Sequence, residues 1–175
     1  MKSLLILGAG GFGHMIKETA QVLGYEEIVF LDDMVKEDDV IGMCCDYVIK
    51  HEDYPVAVAA FGNNKTRLFW TDKLLEEGYE VPAIVHPSAV VSPSVTLEPG
   101  CFIMQRSVVN TNTKIERAAL VNSGAVVDHN SVVCAGAHVG LGSVVKANCT
   151  IESGRKVEAG EVIFSTRRKI EGVDS

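Results

Sequence analysis

Gly8-Ala9-Gly10-Gly11-Phe12-Gly13 is the first stretch whose residue types and spacing could do chemistry. It follows an apolar run, Ser3 to Leu7, and leads into His14 to Leu23, which reads as a helix closed by Gly24. Glycines between a strand and a helix let the chain turn sharply and bring backbone N–H groups at the helix start up to a phosphate or pyrophosphate. A second apolar run, Glu27 to Leu31, ends at Asp32-Asp33. An acid about twenty residues past such a loop holds a ribose hydroxyl in dinucleotide enzymes. The same glycines would also suit a turn that is merely well packed. Further along, Asp128-His129 sets an acid beside an imidazole, and His138 stands nine residues on. Imidazole titrates near neutrality and can take up a proton there.

These residues need elements to hold them, and the second half of the chain supplies one by repetition. From His86 to Ile163 it divides without a gap into thirteen six-residue blocks, each ending in Val, Leu or Ile. That period is neither the 3.6 of a helix nor the alternation of one sheet face, and it predicts a parallel β-helix with one short strand per block and three blocks per coil. Two positions before each aliphatic, from Ala89 through Cys149, the residue is Ala, Val, Cys, Ser or Thr, small enough to point inward between stacked coils. Arg155 and Glu161 break this rule and mark the fraying end of the repeat. Asp128 opens a block, so it and His129 fall at a corner of the coil, where neighbours need not point to opposite faces. One buried aliphatic per six residues does not by itself offset the entropy of ordering the backbone. The reading is therefore a homo-oligomer, a trimer packed along the solenoid axis.

The first 80 or so residues must form a unit of their own. A third strand, Val56 to Phe61, leads through Gly62-Asn63-Asn64 into a helix ending at Glu77, and a fourth strand lies near Val81 to Val85. This predicts a small parallel α/β domain over 1–82, the β-helix over 83–164 and a tail over 165–175. The front domain stops too early for the second half of a full dinucleotide fold, so a one-base nucleotide such as a nucleotide sugar fits better than NAD. The net charge of −7 argues against nucleic acid or an anionic membrane as partner. Five cysteines, Cys44, Cys45, Cys101, Cys134 and Cys149, include no C-x-x-C pair and read as free thiols of a reducing cytoplasm. No stretch reads as a signal peptide or a membrane span.

Taken in order, LILGAGGFG, FLDD, AFGNNKTR, IVHPSAVVSPSV and VNSGAVVDHNSVV with AHVGLGSVV resemble the bacterial hexapeptide-repeat sugar acyltransferases. That family, which includes UDP-4-amino-sugar N-acetyltransferases and sialic acid O-acetyltransferases, joins an N-terminal Rossmann-like α/β domain to a left-handed parallel β-helix. The resemblance implies an acetyl-CoA-dependent N-acetyltransferase acting on a UDP-linked 4-amino sugar in surface-glycan synthesis. It implies that Gly10, Gly11, Asp32 and Asp33, with Asn63, bind the nucleotide sugar, and that acetyl-CoA lies between adjacent subunits of a trimer. It also makes His129 the base that takes the proton from the attacking amine, with Asp128 fixing its tautomer. Asn122 matches an asparagine at the site that would contact the sugar, and His138 a second histidine near the thioester or substrate. Backbone N–H groups near Gly142 and Ala147 are candidates for holding the thioester oxygen.

The chain departs from the family at two places. Phe12 stands where a histidine is common, with His14 two residues later. The usual last coils are absent, and the chain leaves the repeat as Phe164-Ser165-Thr166-Arg167-Arg168-Lys169. The basic triplet would then meet CoA phosphates in their place, or acyl-CoA affinity would be weak. Rival readings are O-acetylation of sialic acid or a related sugar, a non-catalytic sugar-binding relative, and a zinc enzyme on the same solenoid. For the last, His86, His129 and His138 lack a close histidine pair.

Overall fold

The computed structural model describes residues 2–165, so the basic triplet Arg167-Arg168-Lys169 lies outside the described residues. Leu4 to Leu7 are fully buried and form the central strand, β1 (Ser3–Leu7). An apolar run buried on both faces suits the middle of a parallel sheet. Helix α1 (Gly11–Val22) follows, then β2 (Glu27–Leu31), a 3-10 turn at Cys44–Asp46 with a short helix α2 (Tyr47–Lys50), β3 (Ala57–Ala59) and α3 (Asn64–Glu77). The three strands pair in parallel in the order β2-β1-β3. With β2 on one side of β1 and β3 on the other, the crevice at the carboxyl ends of β1 and β3 is a topological switch point, where open α/β sheets take their ligands.

Two sequence expectations for this unit need correction. Helix α1 begins at Gly11, inside the glycine loop rather than after it, because Gly10 already serves as its extended N-cap. The expected fourth strand is not part of the front sheet, whose edge closes instead through Glu80, bridged to Val56. Ile84–Val85 is β4, the first rung of the solenoid, hydrogen-bonded to Phe102–Ile103. The six residues Glu80 to Val85 fit the block pattern, with Ala83 two places before the aliphatic. The repeat thus starts one block before His86.

Strands β4 to β17, two residues each, stack into three parallel sheets ordered β16-β13-β10-β7-β4, β17-β14-β11-β8-β5 and β15-β12-β9-β6. Inside, the closing aliphatics from Ile103 to Val157 and the small residues from Cys101 to Cys149 are buried as expected. The inward hydroxyls find carbonyls, as in Ser107 Oγ to Met104 O at 2.7 Å and Ser143 Oγ to Gly140 O at 2.8 Å. From Gly100 to Gly160 the third residue of every block has a left-handed φ. Glycine and asparagine hold most of these corners because they tolerate that region best.

The three outer faces differ, and the difference positions everything else. Ile84, Phe102 and Leu120 on the first face are buried in one cluster with Ile6, Ile16 and Phe30, so the front domain packs there. Phe12 meets Phe102 edge-on at 5.2 Å, which explains an aromatic residue in the glycine loop. The second face carries Val90, Val108, Val126, Val144 and Val162 in one column, and its end members are 63% and 42% exposed. Lys114, Val132 and Thr150 occupy the third face. No described helix is long and apolar enough to cross a membrane.

Candidate functional site

The glycine loop, both acids and the end of β3 line one cavity of about 510 Å³, with Thr66 and Trp70 of α3 as its far wall. Its glycines do different jobs. A Cβ on Gly13 would lie 2.0 Å from Gly8 O, so Gly13 permits the close crossing of α1 over β1. Gly10 and Gly11 would meet nothing within 4 Å, because their open side is the cavity itself. Asp32 Oδ2 accepts from Ala9 N at 2.8 Å, and its Oδ1 accepts from Met34 N and Val35 N, both at 2.8 Å. Burial pushes this carboxyl up, but the three N–H donors outweigh it and hold the group below its ordinary value. Asp33 Oδ1 accepts from Cys44 N at 2.8 Å. Burial, together with the charges of Asp33 and Asp32, pushes the Cys44 thiol up to about 12, so it is inert.

A second cavity, of about 600 Å³, shares Gly62 with the first and is lined by Asn63, Asn64, Lys65, His138, Gly154 and Lys156. Asn63 caps α3, its Oδ1 accepting from Thr66 N at 3.0 Å. Asn122 and His138 come together as a pair, Nδ2 to Nε2 at 3.1 Å, while Asn122 Oδ1 accepts from Ser123 N. Donation by the amide makes Nε2 the acceptor and leaves the proton on Nδ1, which is buried without a hydrogen-bond partner among the described residues. Burial first, and then the cations of Arg67 and Lys156, pull this imidazole down to about 4. It is neutral at physiological pH.

Asp128 and His129 do occupy a corner, on the turn between β11 (Val126–Val127) and β12 (Val132–Val133). The expected contact between carboxylate and imidazole is not made there. Asp128 Oδ1 accepts from His129 N at 2.8 Å and from Asn110 Nδ2 at 3.0 Å, and these bonds hold its pKa below the ordinary value. The imidazole Nδ1 pairs instead with the Asn130 amide at 2.9 Å. As placed, the amide Nδ2 donates to Nδ1 and leaves the neutral ring's proton on Nε2, whereas turning the amide end for end puts the proton on Nδ1 and gives Nε2 the lone pair a base needs. Ala147 sits one coil above His129, where Asn148 N donates to His129 O, and its own N–H has no partner among the described residues. Gly142 N–H is committed to Ser123 O at 3.0 Å, which removes it as a donor to the thioester oxygen.

These residues therefore sort onto two corners. Asn122 and Gly142, with His138 beside them, lie where the first face meets the second, whereas Asp128, His129 and Ala147 lie where the second meets the third. Within one chain the column of outward valines separates the groups.

One residue of the site escaped the sequence reading. Arg67 is 0% exposed and donates to Ala118 O, Phe61 O, Asn64 Oδ1, Gly136 O and Ala137 O over 2.8–3.4 Å. Arg67, Thr71 and Leu74 are the buried residues of α3, at i, i+4 and i+7. That spacing was the available signal, an arginine on the inward stripe of its helix.

Comparison with known proteins fits this geometry. A family model described as the PglD N-terminal domain matches residues 3–74. The acetyltransferase domain of PglB from Neisseria gonorrhoeae FA1090 is 30% identical over 94% of this chain and 92% of its own, with a TM-score of 0.72. The same domain in complex with acetyl coenzyme A is 28% identical over 93% and 92%, with a TM-score of 0.73. PerB from Caulobacter crescentus, in complex with CoA and GDP-perosamine, is 29% identical over 94% and 89%, with a TM-score of 0.80. This chain belongs to the hexapeptide-repeat sugar acyltransferase family, and it is an acyltransferase.

Proposed function

We propose that the protein transfers the acetyl group of acetyl-CoA to the amine of a UDP-linked 4-amino sugar, in the cytoplasm, as a step of surface-glycan synthesis. The observation that carries this reading is the sharing of Gly62 by two cavities, one built for a phosphate and the other walled by His138. A nucleotide held by the glycine loop directs its sugar toward the Asn122–His138 pair. Acetyl-CoA is the co-substrate, in keeping with the acetyl-CoA and CoA complexes of the relatives.

His129 and the Asn122–His138 pair are separated in one chain, so the working site is assembled between chains. The outward valine column lies between the two corners and is the surface a second copy covers in a homotrimer. Covering it brings the His129 corner of one chain toward the front domain of the next. There His129 Nε2 takes a proton from the sugar ammonium, and the freed amine attacks the thioester carbon. Ala147 N–H donates to the carbonyl oxygen as it becomes negative, while His138, its Nδ1 buried, holds the Asn122 amide through Nε2 at the sugar. The attacking nitrogen sheds its second proton to solvent, and collapse of the tetrahedral intermediate expels the CoA thiolate, which takes the first proton from His129.

Mass spectrometry of the products tests the substrate assignment. Incubation with acetyl-CoA and UDP- or GDP-linked 4-amino sugars is expected to give a mono-N-acetylated UDP sugar. Acetylation of the GDP sugar alone would move the assignment to that nucleotide, and acetylation of free sialic acid alone would replace it with O-acetylation.

A further inference from the structure

Arg67 Nη1 donates to Phe61 O at 2.9 Å, on the wall of the nucleotide cavity. Its Nε donates to Ala118 O at 2.8 Å, and its Nη2 to Gly136 O at 3.0 Å and Ala137 O at 3.4 Å, the residues just before His138. Nη2 also donates to Asn64 Oδ1, whose Nδ2 continues to Gly154 O at 3.0 Å. Ala118, Gly136 and Gly154 are the left-handed corners of three successive coils, with φ of 56°, 66° and 68°. Their carbonyls thus converge on two adjacent side chains at the start of α3. Among the described residues every partner of the guanidinium is a neutral oxygen. A buried cation without an anion is an unfavourable way to join two elements, since apolar groups of similar volume usually do so with greater stability. The arrangement makes sense if the charge and its geometry have a use.

We propose that Arg67 is a positioning residue for acyl transfer, fixing the wall of the nucleotide cavity in register with the coil that carries His138. Resting on the transfer reaction proposed above, this assigns Arg67 the distance between the glycine-loop cavity and the histidine that lines the sugar's cavity. Its charge has a second effect. After burial, Arg67 is the next largest influence pulling the His138 imidazole down, ahead of Lys156, while Glu158 opposes both and Lys65 lines the same cavity. A cation fixed beside His138 keeps its imidazole uncharged, with Nε2 accepting from the Asn122 amide.

Two variants of the full-length protein test this, each first checked for wild-type circular dichroism and native mass. Arg67→Lys keeps the charge but loses the fork that reaches several carbonyls. It is expected to lower kcat about 10- to 100-fold, the cost of a misplacement near 1 Å, with KM for the nucleotide sugar unchanged. Arg67→Met removes the charge. NMR titration of the His138 ring, assigned with His138→Gln, is expected to move upward in this variant, and the acid limb of kcat to move to higher pH with it. A merely structural role would scale activity equally at all pH and leave the titration where it was. Wild-type kcat in folded Arg67→Lys, or an unmoved His138 titration in Arg67→Met, would overturn the proposal. If Arg67→Met does not fold, the kcat of Arg67→Lys decides. If the unaltered enzyme transfers to no acceptor, the proposed function fails, and the titration, which needs no substrate, still decides for Arg67.

Discussion

Asp32 commits both carboxylate oxygens to the backbone N–H groups of Ala9, Met34 and Val35, so it shapes the glycine-loop cavity by holding the loop against the end of β2. Gly10 and Gly11 are the complementary case, positions where the fold has room for a methyl group on the side that opens to the cavity. Gly11→Ala is expected to leave thermal stability equal or higher, because alanine favours a helix start by up to about 1 kcal/mol. It should raise KM for the nucleotide sugar severalfold, and an unchanged KM would show that no phosphate approaches there. His138 gives a pH signature. Its folded pKa, about 4, lies below the unfolded value of 6.5, so the unfolded state binds the extra proton and stability falls as pH drops through that window. Between pH 6.5 and 5 the loss approaches ~1.4 kcal/mol per unit at most, and a denaturant series should find it shallower in His138→Gln. The glycine loop and the acids could be read from sequence because their spacing is local. The inward stripe of α3 could have shown that Arg67 is buried but not what it holds, since its partners lie 51 and 69 residues away on coils that only the folded solenoid brings together.

At the scale of elements, the repeat was the most legible feature, because one inward aliphatic per block dictates the coil whatever the other residues are. The first rung was misread as a strand of the front sheet for a physical reason. Val81 to Val85 comes a short turn after α3, as a sheet strand would, and the ladder partner of Ile84 is Phe102, well along the chain. The corner residues extend the same logic. Arg106 holds a left-handed corner, φ 57°, that glycine fills in equivalent blocks. A non-glycine residue there costs about 1–2 kcal/mol, partly offset by the extra chain entropy of glycine when unfolded. Arg106→Gly is therefore expected to stabilise the protein by ~0.5–1 kcal/mol, and a lower midpoint in thermal unfolding would mean that the arginine side chain contributes more than its backbone costs.

For the whole molecule, the decisive feature is that the acid–histidine corner and the Asn122–His138 pair flank a column of outward valines. Val126→Glu places a charge in the middle of that column. It is expected to yield a smaller species in sedimentation and to abolish transfer while nucleotide binding survives, because the glycine-loop cavity belongs to one chain. Retained activity in a species of single-chain mass would contradict a site built between subunits. The account as a whole stands most directly on His129. Free CoA released from acetyl-CoA should be measured with a UDP-linked 4-amino sugar as acceptor, for the unaltered protein and for His129→Ala. The account predicts acceptor-dependent release that falls by about 10²–10⁴ in the variant, the range of a lost general base. Undiminished release by His129→Ala, with the protein folded and oligomeric, would contradict it.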